Sequence, residues 1–275
     1  MNDFFIQPAR RPLVSVVIPS HDYGRYLPGC LVSLQRQDIG ADRLEVIVAD
    51  DASGDGSLEL AQRLLPGLGF AAWRAFGVPR SGRPGPVRNA GLALATGRHL
   101  LTLDPDDALK PGYLRACLDA LEAGADVAYT DFVLARGDTL REVRLGAFRR
   151  QFLANQNILA PTAVFRRELW ERGARFRAAT AYEDWDFWIQ LALRGARFAH
   201  VREPLYYYRL HGANYSNAAR REDARAKARI VLDNAEFFPS WTLDWARGVA
   251  QGRPDPMPRG VIPVLREHAV VGPLP

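Results

Sequence analysis

The feature that most narrows the possible folds is a regular alternation of short apolar runs with helical stretches over the first half of the chain. Residues 13–19 (LVSVVIP) form such a run, rich in β-branched side chains, and Leu27, Cys30, Leu31 and Leu34 then recur at helical spacing. Residues 45–49 (EVIVA), 99–103 (HLLTL) and 126–130 read as further strands. Between them, 57–65 reads as a helix with Asp55 or Ser57 as its cap. The next two helices carry proline in the first turn and glycine just past the end: Pro86 with Gly97, and Pro111 with Gly124. This order predicts an α/β fold, a doubly wound and mostly parallel Rossmann-like sheet with right-handed crossovers. Ligands of such sheets bind beyond the carboxyl ends of the strands. Polar and acidic stretches fall at that edge here: 20–23, 50–57 and 104–107.

Beyond residue 131 the pattern loosens. Strands are expected at 162–165 and 205–209 and an aromatic helix over 184–194. A basic helix over about 222–237 then leads into a tail rich in Trp, Pro and Gly. Apolar residues make up 48% and charged residues 24% of the 275, which argues against disorder. The formal net charge of +5 suits anionic partners such as phosphates, a solvated basic surface being the plain alternative. Charge alone, without interleaved aromatic motifs, supports no nucleic-acid partner. The two cysteines, Cys30 and Cys117, sit on apolar helix faces and are expected as buried thiols, which fits a reducing cytoplasm. Residues 1–11 lack the apolar run of a signal peptide, and no stretch approaches the 18 or so apolar residues of a membrane span.

Four acidic or basic clusters carry the candidate chemistry. Asp104-Pro105-Asp106-Asp107 places three carboxylates within four residues at a strand end, stiffened by Pro105. Their mutual repulsion falls if a hard cation binds between them, and oxygen ligands suit Mg²⁺ or Mn²⁺. The same acids can equally cap the next helix. Asp50 and Asp51, ahead of a Ser/Gly/Asp run, can accept hydrogen bonds from a base N–H or a ribose hydroxyl, whereas Asp55 and Ser57 suit a turn and cap. Tyr182-Glu183-Asp184-Trp185 opens the aromatic helix. Asp184 is the candidate general base that takes a proton from an attacking hydroxyl, with Glu183 orienting the acceptor. The helix N-terminus is expected to lower the Asp184 pKa, keeping it ionised but a weaker base. Trp185 or Tyr182 can stack on a sugar face; Trp188 reads as core. Last, Arg209 and His211 follow the final strand, the arginine suited to a phosphate and the imidazole to a metal.

These motifs in this order resemble the family 2 glycosyltransferases of GT-A fold, over residues 12–216. Val16 to Leu27 with Ser33-Leu34 looks like that family's first strand and helix, and Asp50 to Ser57 its D-D-x-S-x-D-x-S stretch. Arg88-Asn89-Ala90-Gly91-Leu92 matches its R-N-x-G helix, Asp104 to Asp107 its D-x-D-D, and Arg209 to Ser216 its R-x-H-G-x-N-x-S ending. The resemblance implies a GT-A domain over 1–217, split into a nucleotide-binding half (12–130) and an acceptor-binding half (131–217), with a C-terminal helical or irregular extension over 218–275. It implies an inverting transfer from a nucleotide-diphosphate-sugar, UDP- or dTDP-linked most commonly, to a glycan, lipid-linked or small-molecule acceptor. Catalysis would take place in the cytoplasm or at the inner face of the membrane, where peripheral contact is compatible with the sequence. Asp50 and Asp51 would hold the base, with Pro19, Ser20 and Asp22 nearby. Arg88 and Asn89 would lie by the nucleotide or its diphosphate, and Asp104 would face the ribose or donor sugar. Asp106 and Asp107 would bind Mn²⁺ or Mg²⁺, His211 would reach the metal or the diphosphate, and Asp184 would be the base.

Three departures stand out. His21-Asp22 replaces a common tyrosine and asparagine, Ala52 a usual glycine, and 81–86 (SGRPGP) is rich in Gly and Pro. Two other classes fit these residues less well. A nucleotidyltransferase should show a Gly-rich basic loop after the first strand, where Ser20-His21-Asp22-Tyr23 stands instead. A non-catalytic binding module would have no need of the set Asp106, Asp184 and His211.

Overall fold

The computed structural model describes residues 4–6, 11–212 and 222–264. Among these, the sheet has ten strands, in the order β1-β4-β3-β2-β5-β9-β7-β10-β6, with β8 paired beside β7. The first half of the chain contributes β1 (Phe4–Ile6), β2 (Val14–Ser20), β3 (Leu44–Asp50), β4 (Ala72–Gly77) and β5 (His99–Thr102), connected by helices α1 (Leu27–Gln35), α2 (Ser57–Leu64) and α3 (Pro84–Leu94). β2, β3, β4 and β5 run parallel. Next come the short β6 (Ala108–Leu109), α4 (Tyr113–Glu122), β7 (Val127–Arg136) and β8 (Thr139–Val143). The second half continues through α5 (Arg150–Asn155), β9 (Val164–Arg166), α6 (Arg167–Glu171), α7 (Glu183–Leu193) and β10 (Phe198–Leu210). β10 lies parallel to β7, while β9 is inserted antiparallel between β5 and β7.

The apolar runs become strands because both faces of the sheet are covered. Every residue of β2 and β3 is buried. Alternate side chains go to opposite layers, as pleating requires. Val16, Ile18, Val46 and Val48 pack with Leu27, Leu31 and Leu34 of α1 and Leu114, Leu118 and Leu121 of α4. Val17 and Ile47 pack with Leu92 of α3 and Trp185, Trp188 and Ile189 of α7. Gly91 is dictated by this second layer: a Cβ there would run into the Val17 side chain. Cys30 and Cys117 are buried free thiols.

The tail forms α8 (Asp223–Asp233) and α9 (Ser240–Ala250). Ala228, Ile230, Val231, Ala246 and Val249 join the same hydrophobic cluster as Trp185 and Trp188, so these helices share a core with α7. The boundary expected at 217/218 lies outside the described residues, as do Asn214 and Ser216 of the last motif. Among the described residues no helix is long and apolar enough to cross a membrane.

Candidate active site

The parallel strands deliver their polar ends to one edge, where a cleft of about 1060 Å³ opens. Pro19, Ser20, Asp22, Asp51, Arg88, Asp104, Asp106, Glu183, Asp184 and His211 all line it. Groups 78 positions apart in sequence, Asp106 and Asp184, therefore face one cavity. Arg88 is the tie between them. It is 4% exposed; its Nη2 donates to Asp104 Oδ1 at 2.6 Å and its Nη1 to Glu183 Oε1 at 2.5 Å. One guanidinium thus serves two carboxylates from separate elements, with Asp184 adjoining.

The acidic turn after β5 divides its work. Asp106 Oδ2 lies 2.8 Å from His211 Nε2, and the imidazole stacks on Tyr26 with centroids 5.0 Å apart. Burial and the nearby Asp104 push the Asp106 carboxyl up to about 6, against the pull of His211. Asp107 turns into the protein instead. Its Oδ1 accepts from the Arg209 backbone N–H at 2.9 Å, and its Oδ2 is buried without a hydrogen-bond partner. Burial first, then Asp106 and Asp104, raise its pKa well above the ordinary carboxylate value. Arg209 uses Nε to hold the Asp106 carbonyl at 2.9 Å, bracing the turn. Among the described residues no three His, Cys, Asp or Glu side chains converge as a metal cage. Asp106 with His211 still suits Mg²⁺ or Mn²⁺. Such ions commonly take one or two protein ligands and fill their shell with water and substrate phosphate, and a positive charge relieves the mutual repulsion of Asp104, Asp106 and Asp107.

After β3, Asp50 is used up locally: its oxygens accept from Ser53 N at 2.8 Å and Ser53 Oγ at 2.5 Å. Asp51 accepts from Ser81 N at 2.6 Å and Gly82 N at 2.9 Å, so it fixes the Gly- and Pro-rich loop against β3. Ala52 and Asp22 both adopt left-handed φ, 55° and 58°. Asp22 clasps the neighbouring turn, donating its N–H to Ser53 Oγ and accepting from Gly54 N at 2.7 Å. Asn89 lies outside the cleft; it exchanges two hydrogen bonds with the Phe176 backbone, at 2.7 and 3.0 Å, and so docks α3.

Asp184, at the start of α7, is held by Asn157, whose Nδ2 donates to Oδ2 at 2.9 Å. The expected lowering of its pKa is reversed. Burial is the largest influence and outweighs Arg88, the Trp185 N–H and Asn157, so the carboxyl is raised and becomes a stronger base. Burial likewise pushes Glu183 up to about 7 despite Arg88, with Asp184 adding to the rise. Trp185 is core: it is 1% exposed and its Nε1 donates to the Leu153 carbonyl at 2.6 Å. Trp188 is fully buried, as expected. Three contributors carried no readable signal. Asn157 belongs to a loop of irregular pattern; Arg80 follows β4, itself unread from sequence; and Pro258 to Gly260 arrive from the tail.

Mixed α/β layers with this curled, mostly parallel sheet define the GT-A class of fold. Residues 15–176 match the glycosyl transferase family 2, and the chain belongs to that family. It is 28% identical over 218 residues to chondroitin synthase of Escherichia coli, covering 75% of this chain and 30% of that one. The chain thus spans about a third of the length of the first curated relatives it matches. In structure it resembles Staphylococcus aureus TarS 1–349 in complex with UDP-GlcNAc, with a TM-score of 0.67 at 21% identity, covering 82% of this chain and 69% of that one. It also resembles the mannosyltransferase PcManGT of Pyrobaculum calidifontis in complex with GDP-Man and Mn²⁺, with a TM-score of 0.63 at 19% identity, covering 90% and 79%.

Proposed function

We propose that the chain is an inverting, metal-assisted glycosyltransferase that moves a sugar from a nucleotide-diphosphate donor to an acceptor hydroxyl. The observation that carries this reading is the shared cleft: Asp106 with His211 on one wall, Asp184 on another, and Arg88 joining the two through Asp104 and Glu183. The complexes of the two solved relatives, with UDP-GlcNAc and with GDP-Man and Mn²⁺, support a nucleotide-sugar donor.

Asp106 and His211 would hold a Mg²⁺ or Mn²⁺ ion, which when bound would neutralise the diphosphate as it leaves. The loop that Asp51 pins, together with Pro19, Ser20 and Asp22, would receive the nucleoside. Arg88 would hold Asp104 toward the donor sugar or ribose. Asp184, fixed by Asn157, would take the proton of the acceptor hydroxyl as that oxygen bonds to the anomeric carbon from the face opposite the diphosphate. One base and no protein nucleophile suffice, so the anomeric centre inverts. The buried thiols fit a reducing compartment, and the cytoplasm is the proposed location. UDP is the first donor nucleotide to test, followed by dTDP and GDP.

Thermal unfolding with each nucleotide diphosphate, with and without Mn²⁺, tests the assignment. Binding to the folded state alone should stabilise by about 2.7 kcal/mol at a hundredfold excess over Kd. The shift should need the metal and should vanish in Asp106→Asn. A metal-independent shift that Asp106→Asn retains would remove the metal from the reading.

A further inference from the structure

The C-terminal segment 255–264 returns to the cleft and is fastened there by buried polar contacts. Lys227 is fully buried, with Nζ 2.9 Å from Asp223 Oδ2 and 2.6 Å from Asp255 Oδ2. The same ammonium donates to the Pro258 carbonyl at 3.1 Å, and the Gly260 N–H donates to Asp223 Oδ1 at 2.9 Å. Asn155 and Ile262 exchange a further pair, at 2.8 and 2.7 Å. A buried lysine meeting two carboxylates costs desolvation unless every partner is in place, so this segment is a fixed wall of the cleft.

The wall presents Arg259 to the cavity. It lies beside Tyr182, whose hydroxyl donates to Asp223 Oδ1 at 2.6 Å. The other arginines at the cleft differ in their partners. Arg25 also pairs with no carboxylate among the described residues, but it lies over the Tyr26 ring that stacks on His211, away from the Tyr182 wall. Arg80 and Arg83 reach Asp51 and Glu222 at 3.8 and 3.0 Å, and Arg88 bridges Asp104 and Glu183. Among the described residues Arg259 pairs with no carboxylate, and it is exposed toward the cleft. Tyr182 lies two residues before Asp184, and the Arg259 segment is tied to Asn155, two residues before the Asn157 that holds Asp184. Groups gathered around a base meet the molecule whose proton that base removes.

We infer that Arg259 forms an anion subsite for the acceptor and selects acceptors bearing a carboxylate or phosphate near the reactive hydroxyl. The inference rests on Asp184 being the base of the proposed transfer. The guanidinium would engage that anion through charge-assisted hydrogen bonds, favouring it over a neutral counterpart by roughly tenfold or more.

The test uses the full chain saturated with Mg²⁺ and whichever nucleotide diphosphate stabilises it. Saturation-transfer NMR then compares two matched pairs: p-nitrophenyl β-glucuronide with p-nitrophenyl β-glucoside, and glycerol 1-phosphate with glycerol. At least one acidic member should bind about tenfold tighter than its neutral partner, and the pair showing the preference distinguishes carboxylate from phosphate. Arg259→Gln should bring that pair within twofold, and Arg259→Lys should restore part of the difference. Nucleotide affinity, measured separately, should hold in Arg259→Gln. Equal or absent binding of all four probes to the wild type overturns the inference, as does a preference that survives Arg259→Gln. Lost nucleotide affinity in Arg259→Gln would move the residue to the donor and overturn it too. Failure of the glycosyltransferase reading is distinguishable, because then no nucleotide diphosphate stabilises even the wild type.

Discussion

Replacing Arg88 by Met should destabilise the fold by about 3 kcal/mol at pH 7, and the loss should grow with pH. The residue is 4% exposed and Glu183 8% exposed on the side chain, so water screens their contact little. Removing one partner of a buried pair typically costs about 3–5 kcal/mol. The lower end applies because Glu183 can relieve the penalty by taking a proton. Asp104 is 28% exposed and adds less. The sign of the pH dependence follows from Glu183. Its folded pKa of about 7 lies above the unfolded value, about 4.3. Its contribution to stability is therefore fully present at low pH and is lost as pH rises through that interval. Without Arg88 the folded pKa climbs further, so the variant should go on losing stability above pH 7 where the wild type levels off. Urea unfolding at pH 6, 7 and 8 measures this directly. The double variant Arg88→Met/Glu183→Gln should recover about 2 kcal/mol, since the buried Glu183 carboxylate is then no longer left without its partner. A difference below about 1 kcal/mol, or one independent of pH and of Glu183→Gln, would refute the argument.

Gly91→Ala should cost about 1–3 kcal/mol in urea unfolding, because the added methyl enters the space of Val17 and the packed layer yields only by shifting α3 off β2. The acid limb of kcat/KM for the proposed transfer should lie above the ordinary aspartate range, since Asp184 must be ionised to accept a proton and its pKa is raised. A limb near pH 4 would show that a different group serves as base.

Much of this was readable because it depends on runs and periods. The wholly buried β2 and β3 announce themselves as apolar runs broken only by Ser15 and Glu45, which bond each other, and the polar ends of those strands locate the site edge. β4 escapes because Arg74 and Gly77 break its run, which its place next to the edge strand tolerates. Neighbouring acids are harder. Asp50 and Asp51, or Asp106 and Asp107, look alike as letters. Asp51 and Asp106 line the cleft, whereas Asp50 is spent on Ser53 and Asp107 on the Arg209 N–H, and Asp51 also holds the Ser81 and Gly82 N–H groups. These partners come from the turn itself and from residues 30 and 102 positions away, which the letters do not reveal. The Asp184 pKa misleads a local rule for the same kind of reason. The helix terminus is visible in the sequence, but the burial that outweighs it is created by the Asn157 loop and other distant segments. Arg259 was unreadable because its position depends on Lys227 and Asp255, two ordinary charged residues until the tail folds back.

Turnover of Asp184→Asn is the most direct test of the whole account. With donor, acceptor and Mn²⁺ present, the variant should keep the wild-type nucleotide-dependent thermal shift and lose about 10²–10⁴-fold in kcat. Transfer at close to the wild-type rate would contradict the assignment of Asp184 as the group that removes the acceptor proton.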